Sequence, residues 1–122
     1  MAAPNLINAS SIYGKTIGDL LGTTVTTNIL TCPSNKVLKI NTIIVSNIDG
    51  TNAADVTVRF HDDSTGNDRH LAKTISVPAD STLVVISKDT SIYLEEGDEI
   101  RAGASASSDL EMVISYGEID DA

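Results

Sequence analysis

The sequence predicts an all-β protein: a single antiparallel β-sandwich of about eight short strands, jelly-roll-like, with an extended N-terminal arm. Three observations predict it. From Thr24 onward, turn-forming clusters recur at the short spacing that marks sandwiches and barrels. The segments between them are rich in Ile, Val and Thr, whose branched side chains fit a pleated, half-buried surface. No stretch of the body carries an apolar period of helix length.

Residues 1–23, MAAPNLINASSIYGKTIGDLLGT, form the arm. They show neither clean alternation nor a long helical period, and a helical turn is expected at most around 17–21. Gly14, Gly18 and Gly22 recur every fourth residue, but Lys15 and Asp19 exclude the membrane-helix packing that such spacing can signal. The arm carries Leu6, Ile7, Ile12, Tyr13, Ile17, Leu20 and Leu21. It is too apolar for a solvated tail, so these residues are expected at protein contacts, on the chain's own body or on a neighbour.

The sandwich domain is read as residues 24–119. Its first strand is expected at Thr24–Thr31, stopped by Cys32-Pro33-Ser34-Asn35. Lys36–Asn47 is apolar on both faces and reads as a central strand. After the turn formers of Asn47–Asn52, Asp55–His61 alternates, with Val56, Val58 and Phe60 on one side and Thr57 and Arg59 on the other. HDDSTGNDRH, residues 61–70, reads as a polar hairpin loop in which Gly66-Asn67 supplies the positive φ. Leu71–Val77, Thr82–Ser87, Ser91–Leu94, Glu99–Ala102 and Leu110–Gly117 are the remaining strands. Pro78-Ala79-Asp80, Glu95-Glu96-Gly97-Asp98 and 103–109 fall between them. Residues 120–122 make an acidic tail.

Composition excludes several classes of function. The 122 residues fit one domain, and 41% apolar residues suffice for a core. With four aromatic residues and no Trp, that core must be aliphatic. Seventeen acids against eight bases give a net charge of −9. Nucleic acid and anionic membrane surfaces both require a basic face, so neither is expected as a partner. Copies of a chain this acidic repel one another, and any assembly must bury apolar or hydrogen-bonded surface to offset that. The one cysteine, Cys32, rules out an internal disulfide and reads as a buried side chain. The N-terminus lacks the basic start and apolar run of a secretory leader, and no stretch approaches the roughly 20 apolar residues of a membrane helix.

No motif names a reaction. His61, Asp62, Asp63, Asn67, Asp68 and His70 invite a metal reading. Counted from Asp62, the calcium-loop pattern fails, because the glycine falls one place early and Lys73 stands where a bidentate Glu belongs. For zinc, two histidines nine residues apart lack a third ligand with diagnostic spacing. Glu95, Glu96, Asp98 and Glu99 bracket Gly97, but a glycosidase pair comes from separate strands lining a cleft, usually with aromatic platforms. These acids are expected to keep a turn solvated. There is no Gly-x-Ser-x-Gly elbow and no phosphate-binding glycine loop. No catalytic, cofactor or metal residue is assigned, and the chain is not expected to be an enzyme. A sugar- or calcium-binding module using 61–70 or 95–99 is the lesser alternative.

Three stretches carry a resemblance. They are LTCPSNKVLKINTIIVSNIDGTNAADVTVRF, ISVPADSTLVVISKDTSIYLEEGDEIRAGASA and LEMVISYGEI, spanning roughly residues 24–119. The Val77-Pro78-Ala79-Asp80-Ser81-Thr82-Leu83 step, the Leu94-Glu95-Glu96-Gly97-Asp98-Glu99-Ile100 turn and the closing Gly117-Glu118-Ile119 resemble those of small β-sandwich structural proteins of tailed bacteriophages. These motifs are turn chemistry rather than active-site chemistry. The resemblance implies a virion location, after assembly in the host cytoplasm, and no enzymatic activity. A free-standing chain of this size with an apolar arm looks most like a capsid decoration, or cement, protein. A neck, tail, baseplate or fibre-associated protein is the alternative. The implied partners are other virion proteins, such as the major capsid protein, and copies of the chain itself, with a trimer suggested by threefold sites on heads.

Overall fold

Nine strands follow one another in the computed structural model, which describes residues 11–120. They are β1 Ser11–Leu20, β2 Asn28–Thr31, β3 Lys36–Asn47, β4 Ala54–Asp62, β5 Asn67–Val77, β6 Thr82–Ile86, β7 Ile92–Leu94, β8 Glu99–Ala104 and β9 Leu110–Asp120. One sheet runs β1-β9-β3-β6, with β7 also paired to β3; the other runs β2-β8-β4-β5. All pairings are antiparallel. With β7 set aside, two four-stranded sheets remain, between which the chain repeatedly crosses. This is the jelly-roll arrangement of the all-β sandwich that the sequence predicts.

The core lies between the sheets and is aliphatic. Ile40, Ile43 and Val45 of β3, Met112 and Ile114 of β9, Val56 and Val58 of β4, and Ile100 of β8 are all essentially inaccessible. β3 is central, bonded to β9 along most of its length and to β6 and β7 on its other side. A register shift between Ile40 and Thr42 leaves Asn41 as the extra residue and keeps the apolar residues on both sides of it facing inward.

The structure departs from the sequence reading at several points; the closing strand runs on from Gly117 to Asp120 and takes in the first residue of the expected acidic tail. Residues 11–20 are a strand, not a helical turn, and pair with β9 over ten consecutive positions. Their alternation is weak because β1 is an edge strand exposed on both faces, with only Ile17 packed against the core. The strand expected from Thr24 starts at Asn28. Before it, the Thr27 N–H and hydroxyl both bond Thr24 O, at 3.1 and 2.8 Å, and close a turn. That turn crosses Gly103 so closely that a Cβ there would lie 2.7 Å from Thr24 O and from Val25 Cα. The loop expected over 61–70 shrinks to 63–66, because β4 and β5 extend to Asp62 and from Asn67. Among the described residues, one 3-10 turn, Lys88–Thr90, is helical.

Candidate functional site

The 61–70 segment is a tight hairpin whose ends are locked into a charge network. Gly66 N–H bonds Asp62 O at 2.8 Å, and Gly66 takes φ 74°; Asn67 already belongs to β5. The register sets His61 opposite Asp68 and Arg59 opposite His70, so the two histidines do not face each other. Across the other edge of β4, Arg59 lies opposite Arg101. Two guanidinium groups are thus held side by side on the outer face of the second sheet, and Asp68 reconciles them. Its carboxylate accepts from Arg59 at 3.4 Å and from Arg101 at 3.3 Å, and lies 2.6 Å from His61 Nδ1. Arg101 Nε also donates to Glu99 at 2.9 Å. Partial burial works to raise the Asp68 carboxyl, but hydrogen bonding to His61 and the charges of Arg101 and Arg59 outweigh it and hold it below the usual carboxylate range. Both Asp68 oxygens and one Glu99 oxygen are thus engaged by the chain's own cationic side chains. The sequence reading treats 61–70 as one exposed loop; residues 63–67, Arg69 and His70 are exposed, Asp62 and Asp68 are half-buried, and His61 is buried.

The acidic turn at 95–98 is equally structural. Asp98 is only 6% exposed, so it does not serve as a solvated charge as expected. Its carboxylate accepts from Glu95 N–H and from Asp63 N–H, both at 3.0 Å, and thereby ties the 63–66 tip to the β7–β8 turn. Gly97 adopts φ 87°, and a Cβ there would meet the Asp63 carboxylate at 2.5 Å. Glu96 accepts from Asn35 N–H at 2.7 Å. Cys32 sits beneath this turn, with burial pushing its thiol up to about 11, so it is a packing residue rather than a thiolate. Among the described residues, no three His, Cys, Asp or Glu side chains converge as a metal site. An open groove of about 480 Å³ between β5 and β6 is lined mainly by Leu71, Ala72, Ile75, Leu83, Val84 and Val85. Its lining also includes His70 and Lys73, which stand on one strand rather than converging on a small ligand from several sides.

The residues singled out in the arm separate. Leu6 and Ile7 lie outside the described residues. Leu21 is buried in the core, with its N–H bonded to Leu110 O, so it presents no contact surface. Ile17 is half-buried. Ile12, Tyr13 and Leu20 are exposed. Alternation along β1 and its register with β9 put Ile12, Gly14, Thr16, Gly18 and Leu20 on the outer face of the first sheet. Glu111, Val113, Ser115 and Gly117 lie beside them on β9, Thr42, Ile44 and Ser46 on β3, and Val84 on β6. This face is flat and nearly free of charge: Glu111 at one end and Lys39 towards the other are the charged residues in these rows. Ile12, Leu20 and Val84 are 67%, 48% and 58% exposed. Sequence reasoning missed this face because its residues alternate with the core and come from four separated strands.

Neither a protein-family model nor a curated protein sequence matches the chain. Its fold is similar to that of a chain in the acidic stable capsid structure of Helicobacter pylori bacteriophage KHP30, at a TM-score of 0.51 and 12% sequence identity. The match covers 93% of this chain and 91% of that one.

Proposed function

We propose that the chain is a non-enzymatic virion structural protein of a tailed bacteriophage: a decoration protein bound to the head surface. The observation that carries this reading is the match in fold, over nearly the whole of both chains, to a component of a phage capsid structure. It agrees with the turn motifs of residues 77–83 and 94–100. The geometry is consistent with contact work, since the charged side chains of the clusters are bonded chiefly to one another and the first sheet offers a neutral outer face. On a chain of net charge −9, the near absence of acids from one whole face is what docking on another protein requires. The major capsid protein is the proposed partner for this face, with Ile12, Leu20, Val84 and Val113 as its apolar contacts. Leu6 and Ile7 of the arm would add to the attachment. Repetition over the lattice multiplies each such contact.

The test is quantitative mass spectrometry of purified particles. A copy number comparable with that of the major capsid protein supports the head surface. A copy number more than an order of magnitude lower overturns it in favour of a neck, tail, baseplate or fibre-associated place.

A further inference from the structure

We propose that two copies of the chain join through their β1 strands, antiparallel about a twofold axis at Ile17, so that the first sheet continues from one copy into the other. The inference starts from how the four sheet edges differ. An open strand edge is a template for pairing, and proteins blunt the edges they need to keep free. β2 is blunted by its length of four residues and by a register shift between Asn28 and Leu30. β5 carries register shifts against β4 and places Thr74 at φ 53°, a costly conformation for a β-branched residue. β6 has five residues and a shift opposite Ile43–Ile44. β1 has ten residues in unbroken register, and among the described residues it pairs only with β9. Among the described residues it is the long edge without a register shift, and the charges it carries, Lys15 and Asp19, are of opposite sign.

The second observation is which backbone groups this edge offers. Leu21 N–H bonds Leu110 O, which by alternation turns the odd residues of β1 toward β9 and the even ones toward the open side. Leu20 N–H accordingly falls to its neighbour's carboxylate, bonding Asp19 Oδ1 at 2.9 Å. A twofold at Ile17 then makes Thr16 and Gly18 of opposite copies exchange both of their bonds, and Gly14 and Leu20 do the same once the partner copy's Lys15 draws the Asp19 carboxylate off Leu20 N–H.

The third observation commits the edge to a second copy of itself. The sequence Lys15-Thr16-Ile17-Gly18-Asp19 is self-complementary in charge about its centre. Antiparallel pairing there sets Lys15 against the partner copy's Asp19, twice, and Ile17 against its own counterpart. These are the non-hydrogen-bonded positions, where side chains come closest. Ile17 already packs against the core, so its pairing extends that core across the axis. Lys15 is held beside the edge by Glu118, 3.0 Å away. A shift that centred the axis on Lys15 or Asp19 would oppose two like charges, and the Ile17 axis is the one that sets each Lys15 against an Asp19.

Reversing one charge at a time tests this, with mass read by sedimentation equilibrium and fold by circular dichroism. The wild-type chain is expected to sediment at twice its monomer mass. Asp19→Lys should weaken the dimer at least about tenfold, since two attractive pairs become two repulsive ones. Lys15→Asp should do likewise. An equimolar mixture of the two variants should regain the dimer, because each then meets its complement; this separates a lost interface from a lost fold. A wild-type monomer or trimer, an Asp19→Lys dimer as tight as wild type, or a mixture that stays monomeric would each overturn the proposal.

Discussion

The two outer faces of the sandwich are built from opposite chemistry. On the second sheet, β4, β5 and β8 carry Arg59, Arg101, His61, Asp68 and Glu99, each bonded to another member of the group. On the first sheet, β1, β9, β3 and β6 present Gly, Thr, Ser, Ile and Val, with charge confined to its margins. The difference teaches where to look for function. A charged face resembles an active site in sequence, yet here its groups are spent on one another, and removing Asp68 strands two like charges. Among the described residues the side chains of the neutral face make little use of one another, the Ser46–Thr82 hydroxyl pair at 3.0 Å being the exception, which is what makes this face the candidate for an outside partner.

The strongest way to break the comparison is Asp68→Ala. If the charged face is structural, this change leaves Arg59 and Arg101 adjacent without their shared counterion and His61 buried without its partner. Leaving charges uncompensated in a buried setting costs several kcal/mol, and partial solvent access reduces that to about 2–3 kcal/mol here. Urea denaturation should show the loss, while binding to undecorated particles, measured on the folded variant, should not change. A silent Asp68→Ala would mean that the network is decorative and the contrast between the faces false.

Val113→Asp is the reciprocal change. Val113 is exposed and central on the neutral face. Surface substitutions of this kind move stability by no more than about 0.5 kcal/mol. Co-sedimentation with undecorated particles should nevertheless fall at least about tenfold, because a carboxylate is buried unpaired at the contact. Unchanged particle binding would remove this face from the proposed interface.

How much of this was legible in the sequence follows from the same contrast. The strands facing the core announced themselves. Lys36–Asn47 is both the expected and the observed span of β3, because burial on both faces leaves a continuous apolar run. The fold class followed from such runs and their turns. β1 did not announce itself: an edge strand need not alternate, and Gly14, Gly18, Lys15 and Asp19 obscure its apolar residues. The charge network was half legible. His61 and Asp68 stood out as neighbours, but Arg101 lies 33 residues beyond Asp68 and joins it only through the β4–β8 register. Asp98 looked like a surface acid because nothing local to Glu95–Asp98 reveals that the Asp63 N–H descends onto it.

A smaller effect separates the faces by pH. The Asp68 carboxyl titrates below its unfolded value, near 3.9, so its contribution is complete above that pH and is lost as pH falls through the lower, folded value. Stability should therefore decline on acidification below about pH 4, and part of that decline should disappear in Asp68→Asn. Asp120 behaves in the same direction, held down by Lys36 and Ser11, so Asp68→Asn should flatten the acid limb without abolishing it. Denaturation midpoints across that range for both proteins measure the difference, and parallel curves would show that Asp68 does not couple to folding.

The smallest effect belongs to the stretch that looks most like a site. In the hairpin tip, the Asp62 carboxylate accepts from the Ser64 N–H and hydroxyl, at 3.2 and 2.8 Å, and all of this is close to solvent. Asp63 contributes chiefly through its backbone N–H, which a substitution leaves in place. The double variant Asp62→Ala, Asp63→Ala should thus unfold in urea at close to the wild-type midpoint, since local side-chain to backbone bonds at exposed turns contribute little. It should also bind particles as wild type does, because the tip joins β4 to β5 in the sheet opposite the neutral face. A binding defect without a stability defect would instead give the charged side of the molecule a partner of its own, and the division of labour between the two faces would fail at the point where the sequence first suggested chemistry.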